Sequence, residues 1–323
     1  MKAVILVGGG GTRLRPLTYA VPKPLIPILN RPLIARLIDN LRTHGVDEIV
    51  LAANASDRRI EQALGDGRDY GVSLSYCYET EPLGSGLAVK AAARDFDSAF
   101  FVCNGDVITD LDLSAMAARH REQSAILSIA LAAVEDPSAF GVAALGEADR
   151  ITRFIEKPPR SEAPSNWANA GTWIFEPSVL EHIPDEKMDR SLEQLVFPSL
   201  IGEGYVVQGF TADAYWMDVG TAERYLQLHR DILAGRLRDW LPTDREEGPV
   251  IGEATHVGAD AEVSGAVFIG RACNVGPRSW VSGPTVLGDI CVLGEHVILD
   301  RSVLWNRVTI GTGAVVRDSI IGE

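Results

Sequence analysis

Residues 4–24 read VILVGGGGTRLRPLTYAVPKP. The apolar run Val4–Val7 breaks off into four glycines, Gly8, Gly9, Gly10 and Gly11, and Thr12, Arg13, Arg15 and Lys23 follow closely. A strand that stops at a glycine loop offers backbone N–H groups at its carboxyl end, where open α/β sheets take their ligands. Glycine lets that backbone come close to a phosphate, and nearby cations supply charge. The spacing matches neither common phosphate loop: a Walker loop needs Lys-Ser/Thr after its last glycine, and a dinucleotide fingerprint needs a glycine where Leu14 stands. Glycines alone also suit a flexible surface loop. The continuation through Thr18 and the Pro22-Lys23-Pro24 triplet give the run its weight.

Outward from this loop the chain alternates strand and helix. Strands are expected at 3–7, 47–53, 72–78 and 98–104, with an amphipathic helix over 32–44 (Leu33, Leu37, Ile38, Leu41) and another over 86–96. This alternation predicts a doubly wound, mainly parallel α/β sheet. Residues 125–134, 173–177 and 205–210 add strands, 223–233 a closing helix, and 236–250 a charged, proline-bearing linker.

From Ile251 the period changes to six. Ile251, Val257, Val263, Ile269, Val275, Val281, Leu287, Leu293 and Leu299 recur in step; the register then slips by one and continues through Leu304, Ile310 and Val316. Four residues after each comes a small or branched residue, among them Thr255, Cys273, Cys291 and Val303. Two inward positions per hexad predict a parallel β-helix of short stacked strands. Cys273 and Cys291, one coil apart, should stack as thiols. The expected domains are 1–235, a linker 236–250, and the β-helix 251–323.

The 323 residues are 46% hydrophobic and carry a net charge of −14, which argues against a nucleic-acid-binding surface and requires any polyanionic substrate to meet local cations. There are five lysines: Lys2, Lys23, Lys90, Lys157 and Lys187. No apolar run is long enough to span a membrane, and Met1-Lys2-Ala3 runs straight into a strand without a signal-peptide pattern. The four cysteines and six histidines show no metal-ligand or nucleophile spacing. A cytoplasmic protein with no membrane partner is expected.

Several downstream motifs carry two readings. Asp106, after the strand ending at Asn104, suits a turn or a Mg²⁺ ligand. Asp218, in Trp216-Met217-Asp218, suits a metal ligand or a helix N-cap, a role Thr221 fills equally well. Glu156-Lys157 suits a solvated pair, or a lysine point charge for a phosphate beside a carboxylate that accepts hydroxyl donors. Asn169-Ala170-Gly171 suits a turn into the strand that follows, with a glycine that permits close backbone approach. Glu81 to Gly86, with Gly84 within it, suits a simple strand-to-helix connection.

These motifs, at 8–24, 81–86, 104–106, 156–158, 169–171 and 216–220, together resemble the sugar-1-phosphate nucleotidyltransferases, or NDP-sugar pyrophosphorylases. The resemblance covers the whole chain. It implies the nucleotide-diphospho-sugar transferase type of α/β fold followed by a left-handed hexapeptide β-helix, with nucleoside triphosphate and sugar 1-phosphate as partners and Mg²⁺ as cofactor. It implies that Gly8, Gly9, Gly10, Gly11 and Thr12 wrap the triphosphate. By the same resemblance Arg13 and Lys23 would neutralise it, Asp106 and Asp218 would hold Mg²⁺, and Lys157 would position the sugar phosphate. Glu156, Asn169 and Gly171 would contact the sugar, and Glu81 and Gly84 the base. Glu81-Pro82-Leu83-Gly84, Phe197-Pro198 and the short β-helix bring it nearest to guanylyltransferases acting on mannose 1-phosphate. Thymidylyl- or uridylyltransferases of glucose 1-phosphate and a catalytically silent nucleotide-sugar binder are the alternatives. The unpaired edge at Glu323 leads to the expectation of a homo-oligomer.

Overall fold

The computed structural model describes residues 1–81, 83–186, 191–237, 240–241 and 248–322; Pro82 of the loop, Lys187, linker residues 238–239 and 242–247, and Glu323 lie outside the described residues. The chain divides into two compact units, Met1–Gly10 with Ile34–Asp218, and Gly11–Leu33 with Val219–Glu323.

The first unit is built on a nine-stranded sheet. Four neighbouring strands run parallel: Ser73–Glu79, Glu48–Asn54, Lys2–Leu6 and Phe100–Asn104. Ala3, Val4 and Ile5 are wholly buried, as an unbroken apolar strand covered on both faces requires. This is the α/β fold that the alternation predicts. Beyond Phe100–Asn104 the sheet turns antiparallel, through Trp167–Phe175, Gly141–Leu145 and Ile151–Glu156. Leu127–Ala133 also pairs Trp167–Phe175 and carries Val207–Thr211 beside it in parallel. The strand expected at 173–177 begins six residues earlier, at Trp167, with its register broken between Asn169 and Trp173. Trp173, Phe175, Phe154 and Phe197 pack under this half, with Trp173 and Phe197 edge to face at 5.6 Å. Each such buried ring contributes about 1.5–3 kcal/mol.

The second unit contains the β-helix, whose strands form three parallel sheets of five, four and four. Ile269, Val275, Val281, Leu287, Leu293, Leu299 and Leu304 fill its interior, the positions that the hexads mark. This is the left-handed hexapeptide type that the resemblance implies. Ile269 pairs Leu287 one 18-residue coil on, but Leu287 pairs Leu304, Leu293 pairs Ile310 and Leu299 pairs Val316 across 17. The one-residue slip in the sequence is therefore a coil shortened at one corner, between Leu299 and Leu304. Inward polar residues bond to corner backbone: the Ser279 hydroxyl donates to Gly294 O at 2.9 Å. Cys273 and Cys291 stack on adjacent coils as free thiols. The corners use left-handed residues, including Ala254, Asp260, Ala272, Arg278, Ile290 and His296, where glycine would be expected.

Candidate active site

In the first unit, Leu6 pairs both Ala52 and Asn104, so three parallel strands deliver their carboxyl ends to one edge. Gly105 N donates to Leu6 O at 3.0 Å, and a Cβ on Gly105 would lie 2.8 Å from Val7 Cγ1. Only glycine lets the chain turn so close against the first strand. Asp106 therefore leaves the sheet beside the exposed Gly8–Gly10. A Cβ on Gly8 or Gly9 would meet nothing within 4 Å, so nothing in the surrounding structure excludes a side chain at either position.

Asp218 reaches the same place by another route. Trp216–Asp218 pairs antiparallel with Val107–Thr109, setting Asp218 opposite Val107, the residue after Asp106. The Trp216 indole N–H donates to Ala170 O at 2.9 Å, and Tyr215 N donates to Asp110 Oδ1 at 2.7 Å, fixing this short strand from both sides. Thr221, not Asp218, caps the helix Ala222–Leu233. Asp218 is thus spared the N-cap role, and its Oδ1 is buried.

Gly171 extends the site. At φ +71°, its built Cβ would lie 2.8 Å from Asn104 Nδ2 and 3.1 Å from Val107 Cγ2, the residues flanking Gly105 and Asp106. The Asn169 side-chain Oδ1 accepts from Gly171 N at 3.0 Å and from the Trp173 indole N–H at 2.9 Å. That oxygen is committed to the bulge, so the amide nitrogen is the end suited to a ligand. Ala168 pairs Val142, and the adjacent Gly141 pairs Glu156. Glu156 is half-buried. Burial, with Glu193 adding to it, raises its carboxyl above the ordinary 4.5, while Lys157 pulls it back. Lys157 holds a left-handed φ of 48°, strained for a lysine, with its N–H on Phe140 O at 2.9 Å. Its ammonium is 3.5 Å from Glu156 and 66% exposed, too open for that pair to hold much energy.

The Glu81–Gly86 loop follows Ser73–Glu79, two strands from the glycine loop on the same edge, a step of about 10 Å. Glu79 accepts from Leu83 N at 3.2 Å, and Gly84, at φ +85°, opens the helix Ser85–Ala92. Glu81 is exposed. Leu83, Gly86 and Leu87 line a small cleft with Ile183, Leu192 and Val196.

The second unit holds the rest of the sequence motif. Gly11, at φ +55°, has Thr18 Cγ2 at 3.0 Å and Lys23 Cβ at 3.1 Å from its built Cβ, and the Thr18 hydroxyl donates to Gly11 O at 2.7 Å. Thr12 and Arg13 are exposed, whereas Lys23 is buried.

The first unit thus gathers Gly8–Gly10, Asp106, Asp218, Asn169, Gly171, Glu156 and Lys157 through a continuous series of pairings. Sequence reasoning missed Glu193, which acts on Glu156, and the contact of Trp216, which ties the strand Trp216–Asp218 to the bulge. Neither has a spacing signal, since their partners lie tens of residues away.

A family profile described as nucleotidyl transferase matches residues 2–235. A UTP–glucose-1-phosphate uridylyltransferase of Synechocystis sp. is 32% identical over 99% of this chain and 87% of its own. Mannose-1-phosphate guanylyltransferases of Mycobacterium tuberculosis (35%) and Emericella nidulans (41%) align with 73% and 70% of this chain, but with only 65% and 62% of their own lengths. A Bacillus anthracis structure assigned as a glucose-1-phosphate thymidylyltransferase superposes with TM-score 0.65 at 26% identity, over 71% of this chain and 93% of that one. HddC from Yersinia pseudotuberculosis does so at 0.60 and 28%, over 70% and 97%. The edge that collects the glycine loop and both aspartates lies inside the matched residues, and the chain belongs to the nucleotidyl transferase family.

Proposed function

We propose that this protein is an enzyme that joins a nucleoside triphosphate to a sugar 1-phosphate, releasing pyrophosphate, with GTP and mannose 1-phosphate as its substrates. The observation that carries the chemistry is the convergence of an open glycine backbone with two aspartates at one sheet edge. The sugar phosphate oxygen attacks the α-phosphorus in line, the α–β bridging bond breaks, and pyrophosphate departs with its electron pair. Little covalent work falls to the protein, so positioning and charge neutralisation carry the catalysis. Backbone N–H groups of Gly8–Gly11, with Thr12, hold the phosphates, and Arg13 and Lys23 offset their charge. Lys157 holds the sugar phosphate as nucleophile. Glu156 accepts from sugar hydroxyls, Asn169 donates to one through its amide nitrogen, and Gly171 lets the backbone approach the ring.

Asp106 and Asp218 fit Mg²⁺ by the chemistry of their donors. Among the described residues no group of three or more candidate ligands could hold a metal alone. Mg²⁺ prefers one or two carboxylates plus substrate phosphates, which is what this pair leaves room for. When bound, Mg²⁺ would supply charge neutralisation at the phosphates.

GTP is favoured by Glu81 with Gly84 beside it: a carboxylate accepts the two adjacent donors of guanine, N1–H and the N2 amine. Mannose 1-phosphate follows the guanylyltransferase relatives. A uridylyltransferase of glucose 1-phosphate is the second reading, because the Synechocystis relative aligns through the β-helix as well. Pyrophosphate release across four nucleoside triphosphates and several sugar 1-phosphates tests the assignment; a preference for UTP or dTTP overturns the guanylyl reading. We also assign the protein to the cytoplasm, where free thiols persist and nucleotides are made, and to a homo-oligomer joined through the β-helix. Trp280, Ile298 and Val315 form an outward apolar column on one of its faces, with Trp280 and Val315 exposed. Among the described residues, no helix is long and apolar enough to cross a membrane.

A further inference from the structure

Residues 11–33 pack with the β-helix, 200 and more residues away in sequence. The joint is specific. Pro27–Ile28 and Arg31–Pro32 form a tight hairpin whose turn residues, Leu29 and Asn30, both have positive φ. Asn30 Nδ2 donates to Asp289 Oδ1 at 2.8 Å, and Asp289 sits at a β-helix corner. Asp289 is held in turn: Arg271 N donates to the same oxygen at 2.8 Å, and Asp289 N donates to Asn306 Oδ1 at 2.7 Å. Gly270 makes room for the pair, since its built Cβ would lie 2.7 Å from Asn30 Nδ2.

A second tie runs through the interior. The Trp305 indole N–H donates to the Tyr225 hydroxyl at 3.0 Å, and that hydroxyl donates to Pro27 O at 2.5 Å. Tyr225 is fully buried and Trp305 nearly so, so these bonds are shielded from water. Gly322 sits near both sides, since a Cβ built on it would lie 3.4 Å from the Trp305 ring and 3.7 Å from Leu17. Two points of one segment, Pro27 and Asn30, are thus fixed by β-helix residues or through them. Just before these points stand Arg13 and Lys23, in a segment whose Gly11 carbonyl accepts from the Thr18 hydroxyl at 2.7 Å and whose Gly11 lies close to Lys23.

We propose that Asp289 and Trp305 are positioning residues for the nucleotide: the β-helix holds the cationic segment 11–23 in its working conformation. The inference rests on the reading of Arg13 and Lys23 as the cations of the triphosphate. It makes the β-helix part of the transferase machinery, acting through the hairpin and helix Ala222–Leu233 and touching no substrate.

The test uses the full-length chain and steady-state pyrophosphate release, with each substrate varied in turn. Asp289→Ala and Trp305→Phe should each lower kcat/KM for the nucleotide about tenfold, since small misplacements of charged groups are costly in rate, and change KM for sugar 1-phosphate less than about twofold. Asp289→Asn keeps an oxygen for Asn30 and should stay near wild type. Arg13→Ala is the reference, and Arg13→Ala with Asp289→Ala together should lose little more than Arg13→Ala alone. If Arg13→Ala impairs nucleotide use while Asp289→Ala and Trp305→Phe do not, or impair both substrates alike, the positioning role is wrong and the reading of the segment stands. If Arg13→Ala is without effect, that reading fails and the inference with it. Trp305→Phe retains the ring and serves if Asp289→Ala does not fold.

Discussion

Two glycines of the site should respond in opposite ways to the same methyl group. Gly9 has nothing within 4 Å of a built Cβ and no left-handed φ, so Gly9→Ala fits the folded chain and restricts the unfolded one. Its stability should rise by about 0.4–1 kcal/mol. Gly171 sits at φ +71°, where alanine costs about 1–2 kcal/mol. Its Cβ would also press on Asn104 Nδ2 at 2.8 Å and Val107 Cγ2 at 3.1 Å, adding about 1–3 kcal/mol of overpacking. Gly171→Ala should therefore lose about 2–5 kcal/mol in urea denaturation. Activity should fall in both, for different reasons. In Gly9→Ala the methyl takes the place of a phosphate oxygen at a backbone N–H. Loss of one charge-assisted bond, about 1.5–3 kcal/mol, becomes a ten- to 150-fold fall in kcat/KM for the nucleotide. A Gly9→Ala enzyme that is stable and fully active would refute the claim that phosphate needs that open backbone.

Asp106→Asn and Asp218→Asn should each lose about a hundredfold or more of turnover with the fold intact, and near-normal rates at saturating Mg²⁺ would remove the metal assignment. Lys157→Met should raise KM for sugar 1-phosphate far more than KM for nucleotide; the reverse split would mean the two phosphate sites are exchanged. Glu156 gives a pH signature. Its carboxyl titrates above 4.5, so the free enzyme gains stability from the protonated form at low pH and loses that gain as pH rises through the raised value. Sugar binding uses the ionised form, so kcat/KM for the sugar should fall as pH drops through the same value. If Glu156→Gln keeps the same acid limb, another group owns it. Light scattering at micromolar concentration should show more than a monomer, and Glu81→Gln should erode the preference for GTP over dTTP.

The hexads were legible down to the slipped register, because a stacked coil repeats the same inward residue in the same place. The glycine loop was legible because so few other local structures call for four glycines after an apolar strand. The hairpin from Gly141 to Glu156 was not. Ala148 and Asp149 take its positive-φ turn, which sequence patterns reserve for glycine or asparagine, and Ile151–Glu156 does not alternate cleanly. The choice between Asp218 and Thr221 as helix cap needed coordinates, since both residue types cap well. The packing of residues 11–33 with the β-helix was out of reach for a different reason. Asn30 and Asp289 stand 259 residues apart, and no periodicity links them.

The shortened coil after Leu299 says how this half of the molecule tolerates history. In a hairpin, dropping one residue turns every later side chain inside out. Here the loss is absorbed at a single corner, and Leu304, Ile310 and Val316 still stand over Leu287, Leu293 and Leu299. The array counts in turns, not in residues. Insertions and deletions among its descendants should therefore collect at corners such as 300–303, leaving the inward columns in phase, and whole coils should be gained or lost as units.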